Sequence, residues 1–510
     1  MKKLRLGLLV DSLHVPAWIH RLINKIQALD FVDIALIVDC ATRPSPSPAL
    51  TSLLRLERRL LGGLANPLAL SPLTETLPNI PILHSDEIQK IQSLRVDVLI
   101  NFCTHSSFIF HLSSFIPTWT WNNLTPTAAF HEVLESNPVT VCTLTTTLPN
   151  GETKLIRAVS FATDWISAAR NQNHYFIKAE STLLWGLKKL HLEGQEKFFA
   201  GLNPFHREEK KAAKKIGARE VAKLIFGQAR RRIAKTLRPR DETWVLLAAK
   251  RADGLVADFS ASPLILAPRG TYWADPMPIQ REGRVYVFAE EFVEQTKRGR
   301  IVCLTLDSAA RVDSRQVALE RPYHLSYPFI FEHAGETYMV PESAGNRSVE
   351  LYHCARWPER WEFVHNLMSD IYAVDSTLLN HAGRWWLFAN VKTESGASSW
   401  DELHLFFADD PLSTAWTPHL LNPIVSDVSN ARPAGPIFVH EDALYRPAQD
   451  CSLRYGYAVN LNRIDALTET SYAETRLQTI LPRKDLLATH TLSRVGEWDF
   501  VDGVTRIKKA

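Results

Sequence analysis

The chain has 510 residues, 45% of them hydrophobic and 22% charged, with a formal net charge of +3 and a mean hydropathy of −0.12. That length excludes a single core and calls for two or three domains, and no run approaches the ~20 apolar residues a membrane span requires. The six cysteines (Cys40, Cys103, Cys142, Cys303, Cys354, Cys451) show no CxxC pair and no zinc spacing, which excludes a secreted disulfide framework and indicates reduced core thiols in a cytoplasmic protein.

The first residues, "MKKLRLGLLVDSLHVPAWIH", combine basic and apolar character as a signal peptide does. Asp11 interrupts the short apolar run and no small-residue cleavage site follows. A buried strand leading into a helix near Pro16 is expected instead. Residues 1–172 then alternate strand and helix: "LRLGLLVD", "AWIHRLINKIQALD", "VDIALIVDC", "SDEIQKIQSL", "VDVLINFC". Continuous apolar strands in that rhythm predict a parallel sheet covered by helices. "ATRPSPSPAL" reads as a loop.

Residues 173–243 are expected to be a helical, increasingly basic linker. Within it, "HREEKKAAKKIGAREVAKLIFGQARRRIAKTLRPR" is rich in Lys and Arg. Such a helix either lies on anionic lipid headgroups, which would make 206–240 a peripheral contact at the inner membrane, or serves as a solvated linker. Nucleic acid is not an expected partner, because no aromatic residues interleave with the charges.

From residue 244 a repeat takes over. "YWADPMPIQREGRVYVFAEE", "SYPFIFEHAGETYMVPES", "VDSTLLNHAGRWWLFANV" and "PAGPIFVHEDALYRPAQD" each carry a short apolar run into a turn and an aromatic-rich run out of it. With Gly283, Gly335, Gly383 and Asp442 as equivalent turn positions, the residue eight before is Asp275, Tyr327, Asp375 and Ala434. The residue seven after is Glu290, Glu342, Asn390 and Gln449, always an acid or its amide. "HTLSRVGEWDFVDG", from His490, is a weaker fifth copy. A spacing of roughly 50 residues with hairpin patterning predicts an all-β region over 244–510, built as propeller blades or a similar array. Closure of the repeats would then turn acids of one register toward one central pocket.

Three resemblances add to this reading. "VDVLINFCTHSS" with "IPTWTWNNLTPTAAFHEVLESNPVTVCTLT" resembles the core of the formyltransferase family, which uses an Asn-x-His segment and a later Asp. Here the matching segment is Trp121-Asn122-Asn123-Leu124-Thr125, and Asn150 falls where the aspartate is expected. Asparagine is no general base near neutral pH, so the domain is expected to be inactive and to use no cofactor. His131 and Asp164 are the residues that could substitute, and an active domain would be an N-formyltransferase acting on an amino sugar.

The repeats resemble the five-bladed propellers of the arabinanase, xylosidase and fructosidase families, in which two Asp and one Glu converge on the sugar. "WADP" at Asp275 matches the first-blade base or nucleophile and "AVDST" at Asp375 the aspartate that tunes the acid. Ala434, in "PAGP", replaces the glutamate, and glycoside cleavage needs a proton donor as well as a base. Two readings stay open: Glu342 supplies the acid, or the leaving group is a diphosphate clamped by Arg432, Arg446 and Arg454. Tyr272, Trp273 and Tyr327 are expected to stack on sugar, with Gln449, Asp450 and His490 completing the substrate-binding set. Glu290 and Glu291 read as structural, and no metal site is expected.

Both halves together, through "HEVLESNPVT", "YWADPMPI", "SYPFIFEHAGETYMVPES" and "HTLSRVGEWDFVDG", resemble bacterial relatives of the glucosamine inositolphosphorylceramide transferase N-terminal region. The resemblance implies surface-polysaccharide or glycolipid biosynthesis, with a glycan, nucleotide-sugar or lipid-linked sugar as substrate. A glycosyl unit would be transferred or cleaved in the propeller pocket. The rival reading is a non-catalytic glycan-binding scaffold.

Overall fold

The computed structural model describes residues 3–41, 48–60, 66–84, 87–103, 112–206, 216–237, 242–252 and 254–506. The chain forms two compact units, Met1–Arg238 and Pro239–Ala510. No described helix is long and apolar enough to cross a membrane.

The first unit is built on a seven-stranded sheet. Its order is Ile82–His84, Val32–Asp39, Leu4–Val10, Val98–Asn101, Thr118–Trp121, Val139–Thr147 and Thr153–Ala162. The first five strands run parallel, and their central members are apolar and buried on both faces, as a helix-covered parallel sheet requires. The last two form an antiparallel hairpin around "LPNGET", so the expected purely parallel sheet is mixed. A hairpin needs no crossover helix, which is why the strand–helix rhythm breaks off there.

The expected linker 173–243 is corrected in its first part. The helix Ala168–Glu193 starts at Ser167, whose Oγ accepts the Arg170 N–H, and it buries Tyr175, Phe176, Ala179, Leu183, Leu187 and Leu190 in the core of the first unit. Glu180, 1% exposed, takes Arg21 at 2.7 Å and Lys25 at 2.8 Å. An apolar stripe at helical spacing, not the basic run downstream, decides where this segment belongs. Of the basic segment, residues 207–215 and 238–241 lie outside the described residues. The helix Ala218–Leu237 packs Val221 and Leu224 into a cluster with Leu50, Leu53 and Leu54 of the helix Pro48–Leu60.

The second unit is a five-bladed propeller. Four blades are four-stranded antiparallel sheets covering 271–319, 326–369, 373–418 and 438–480. The fifth joins Leu492–Val495 and Trp498–Arg506 to Glu242–Lys250, paired in register from Glu242–Arg506 to Lys250–Trp498. The start of the unit thus closes the ring on its end, removing the open edges that would otherwise invite association. Each of the four turns at Glu282–Gly283, Ala334–Gly335, Ala382–Gly383 and Glu441–Asp442 has positive φ at both residues, the two-residue hairpin geometry that matches strand twist. The turn equivalence read from the sequence therefore corresponds to one repeated backbone conformation.

Candidate functional site

The opening strands of the first three blades carry the same irregularity. Pairing skips from Ala274 to Met277, from Ser326 to Phe329 and from Val374 to Thr377. The skipped residues Asp275, Tyr327 and Asp375 have φ of 52°, 42° and 53°, a left-handed conformation costly for a residue with a Cβ. Pro276 and Pro328 follow two of them, and proline, lacking an N–H, suits a position with no ladder bond to make. A bulge re-aims its side chain, and here it does so at one register in three blades. The fourth blade has no strand at Ala434. Its neighbour Gly435, at φ 127°, gives its N–H to the Tyr327 hydroxyl at 2.8 Å.

The re-aimed side chains meet in a buried polar centre. Asp275 Oδ2 accepts the Tyr327 N–H at 3.2 Å, and its Oδ1 accepts the Thr491 hydroxyl at 2.9 Å. His490 bridges two acids, with Nδ1 2.7 Å from Asp502 Oδ2 and Nε2 3.5 Å from Asp275 Oδ1. Asp502 Oδ2 also accepts the Asp275 N–H at 2.9 Å. Asp375 takes Arg432 Nε at 2.6 Å and Nη2 at 3.2 Å, and Gln449 Nε2 at 3.1 Å. Glu342 lies 3.8 Å from Arg432. The Arg432 guanidinium lies under the Tyr455 ring at 4.9 Å, and that ring also meets His490 and Trp400.

Burial dominates the electrostatics. It pushes Asp275 up to about 6, assisted by the Asp502 and Asp375 charges and opposed by His490. Burial, and then the neighbouring Asp275 and Glu342 carboxylates, hold Glu290 well above the usual carboxylate range. Glu342 is raised in the same way by burial and by Asp375, against the pull of Arg432. For His490 burial works the other way, but Asp502 and Asp275 outweigh it and raise the imidazole. The centre therefore sets carboxyl groups that hold their protons unusually tightly beside acids paired with Arg432 and His490.

Of the residues singled out in the sequence, Asp275, Asp375, Glu342, Tyr327, Arg432, Gln449 and His490 come together. Tyr272 stands beside them, its hydroxyl raised by burial and by the Glu290 and Asp275 charges, with its ring stacked on Phe292 at 4.8 Å. The two expected sugar platforms Trp273 and Tyr327 are closed, and Arg446, Arg454 and Asp450 lie apart. Trp273 is 3% exposed and gives its Nε1–H to Glu291. Tyr327 is fully enclosed, its hydroxyl spent on Thr377 and Gly435, so neither ring is a sugar platform. Arg446 is buried against Glu474 at 2.7 Å and the Asn430 carbonyl, and Arg454 pairs with Glu242 at 2.8 Å. The expected three-arginine clamp thus reduces to Arg432. Asp450 accepts the Ser452 N–H and shapes a loop.

Glu290 belongs to the cluster, against the expectation of a structural role. Its register, shared with Glu342, carried the signal. Glu291 is structural, held by Arg300, Arg315 and Trp273. Thr491 and Asp502 lie in the weaker fifth copy but off the eight-before and seven-after positions, and Tyr455 lies outside the quoted repeats, so none of the three was singled out. One atom each of Asp275, His490 and Asp502 lies within 4.8 Å of the others, close enough for a cation. Both imidazole nitrogens already face carboxylates, so an ion would have to displace those contacts. A cleft of about 530 Å³ among the hairpin turns, lined by Lys250, Gln280, Arg284, Asp307 and Trp498 among others, includes none of the central acids.

In the first unit, Asn123 Oδ1 accepts the Thr125 N–H and hydroxyl, and Asn150 Oδ1 accepts the Glu152 N–H. Asp164 accepts the Ile166 and Ser167 N–H groups and pairs with Arg170 at 2.6 Å. These groups shape turns and a helix start. His131 is partly buried beside Phe130, ring to ring at 6.1 Å.

Residues 261–487 match the family model described as glucosamine inositolphosphorylceramide transferase 1, N-terminal. The curated relatives include proteins of that name from Oryza sativa subsp. japonica, 37% identical over 204 residues, and Arabidopsis thaliana, 32% identical over 206 residues. These alignments cover 39% and 40% of this chain and 27% of each relative, so the match spans about a quarter of their length. Similar solved structures include a family 117 glycoside hydrolase from Zobellia galactanivorans, at TM-score 0.35 and 12% identity over 51% of this chain and 90% of that one. Another is the catalytic domain of a Coprinopsis cinerea GH62 alpha-L-arabinofuranosidase, at TM-score 0.37 and 12% identity, covering 47% and 94%.

Proposed function

We propose that the propeller is a carbohydrate-active module that takes a glycan or glycolipid sugar over its central acids and transfers or cleaves a glycosyl unit there. The observation that carries this reading is the set of buried carboxylates, from several blades, that share one centre and hold their protons more tightly than ordinary carboxylates do. Crowding buried acids costs stability, and such costs concentrate where chemistry needs them. The transferase name of the sequence relatives supports a sugar-linked substrate.

Roles follow from how each group is held. Glu342, raised by burial and not closed off by a short ion pair, is the proton donor that Ala434 does not supply. Asp275, titrating near 6, is the base or nucleophile. Asp375, fixed by Arg432 and Gln449, is the charge that keeps Glu342 protonated until a leaving oxygen arrives. Protonation by Glu342 is preferred over a diphosphate clamp, because Arg446 and Arg454 are engaged elsewhere. General-acid removal costs on the order of 10²–10⁴-fold. Assays with aryl glycosides and nucleotide sugars should therefore show that loss in Glu342→Gln, with sugar binding retained. Wild-type turnover indifferent to Glu342→Gln and Asp275→Asn would defeat the proposal.

A scaffold reading is favoured by one observation: both Asp275 oxygens and both Asp375 oxygens already accept protein donors. Calorimetric binding of glycan with no turnover in any assay would select it. For the first unit we propose no formyl transfer, since Asn123 and Asn150 serve turns. Formylation of an amino sugar from 10-formyltetrahydrofolate, lost on changing Asn123, would overturn that.

A further inference from the structure

We infer that the helix Ala218–Leu237, in the first unit, is an in-plane docking surface for an anionic lipid bilayer. Its inward side is set by Val221, Leu224 and Gln228, all buried. On the outward side Ala222, Ile225, Phe226, Ala229 and Ile233 recur at intervals of three and four, which places them along one stripe. Three of these are large and bare: Ile225 is 48% exposed, Phe226 73% and Ile233 60%. A helix whose second face is also apolar has lost the polar side expected of a solvated surface helix. Of the two readings the sequence left open for this segment, the solvated linker does not explain Phe226.

Cations flank the stripe on both sides. At 100° per residue, Arg219, Lys223 and Arg230 fall along one border and Arg232 near the other, and all four are exposed. The helix has one acid, Glu220, at its start. The neighbouring helix Pro48–Leu60 repeats the combination, with Leu56 53% and Leu60 69% exposed beside the exposed Arg55 and Arg59. Apolar side chains between basic ones are the composition of a helix that sits at the headgroup–acyl boundary. A second copy of this surface is disfavoured as the occupant, because pairing the stripe with itself would bring like charges together. An anionic lipid surface satisfies both components at once, with the acyl region receiving Phe226 and Ile233 and the phosphates receiving the arginines.

The inference is independent of the propeller chemistry, so the two fail separately. The test is co-sedimentation of the full chain with phosphatidylcholine vesicles, with and without phosphatidylserine, across a salt series. Binding is expected only with phosphatidylserine and should weaken as salt rises. Phe226→Ser with Ile233→Ser, both on the surface and tolerable to the fold, should remove it. Arg230→Ala should weaken it about fivefold. Circular dichroism and the melting temperature of each variant establish that the fold is kept. No sedimentation with anionic vesicles at low salt would overturn the inference, as would binding unchanged by Phe226→Ser with Ile233→Ser. Concentration-dependent self-association, abolished by the same pair in the absence of vesicles, would assign the face to a second copy and also overturn it.

Discussion

Asp275 sits where burial raises its carboxyl from an ordinary 3.8 to about 6, and this has a consequence for stability. The folded chain holds the Asp275 proton more tightly than the unfolded chain does. Stability present below about pH 4 is therefore lost as the pH rises through about 6. His490, also raised, contributes in the same direction and extends the loss above its ordinary 6.5. The propeller melting temperature should fall across that window, and Asp275→Asn, which cannot ionise, should flatten its acid end. A melting temperature that instead rises from pH 4 to 6 in the wild type and not in Asp275→Asn would contradict the assignment. Arg446 invites a different test. Removing it leaves Glu474 charged and buried, so Arg446→Met should destabilise by about 3–5 kcal/mol. Ligand affinity, measured on the remaining folded protein, should stay unchanged. Loss of affinity with unaltered stability would return Arg446 to the pocket.

At the scale of the element, the bulged opening strand is the device that builds the centre. Tyr327 anchors it from the second blade, its hydroxyl joining Thr377 of the third and the Gly435 N–H of the fourth. Tyr327→Phe leaves a buried donor and acceptor short of a partner, and a cost of about 1–3 kcal/mol is expected in denaturant unfolding. Gly435 is more constrained. Its φ is 127°, and a Cβ there would lie 1.9 Å from the Leu492 carbonyl oxygen. Gly435→Ala should cost more than about 3 kcal/mol or prevent folding of the propeller. A variant as stable as the wild type would show that the fourth and fifth blades do not approach as closely as described. The repeat pattern made Asp275, Tyr327 and Asp375 legible as equivalents, because hairpin turns leave a strong sequence trace. The bulge itself left none, since positive φ at an aspartate or tyrosine is imposed by neighbours rather than by the residue.

For the molecule as a whole, two compact units predict two unfolding transitions in calorimetry. The propeller transition should depend on the closing strand Glu242–Lys250, whose Val245 and Leu247 are fully buried against Leu492 and Val501. Leu247→Asp buries an unpaired charge and should lower that transition while leaving the other in place. A single shifted transition would mean that the units unfold as one. The closure also explains why the central site was only partly visible beforehand: Asp502 and Thr491 reach Asp275 because the fifth blade is completed by a strand more than 200 residues earlier.

What the sequence determined by itself was everything written in local period and turn chemistry. Continuous apolar strands gave the helix-covered sheet of the first unit, and turns recurring about every 50 residues gave a ring or array of hairpin repeats. Two repeated registers marked Asp275 with Asp375 and Glu290 with Glu342 as equivalent positions. What only the tertiary structure decided was which polar residues are spent on one another. Arg446 and Arg432 are the same residue type, fourteen positions apart, yet one faces Glu474 and the other Asp375. Helical period placed Ala168–Glu193 in a core only once its stripe had a sheet to meet. Charge pairing and burial depend on which strands and blades lie side by side, and no local pattern encodes whether an arginine meets an acid 28 residues on, as Arg446 does, or 57 residues back, as Arg432 does.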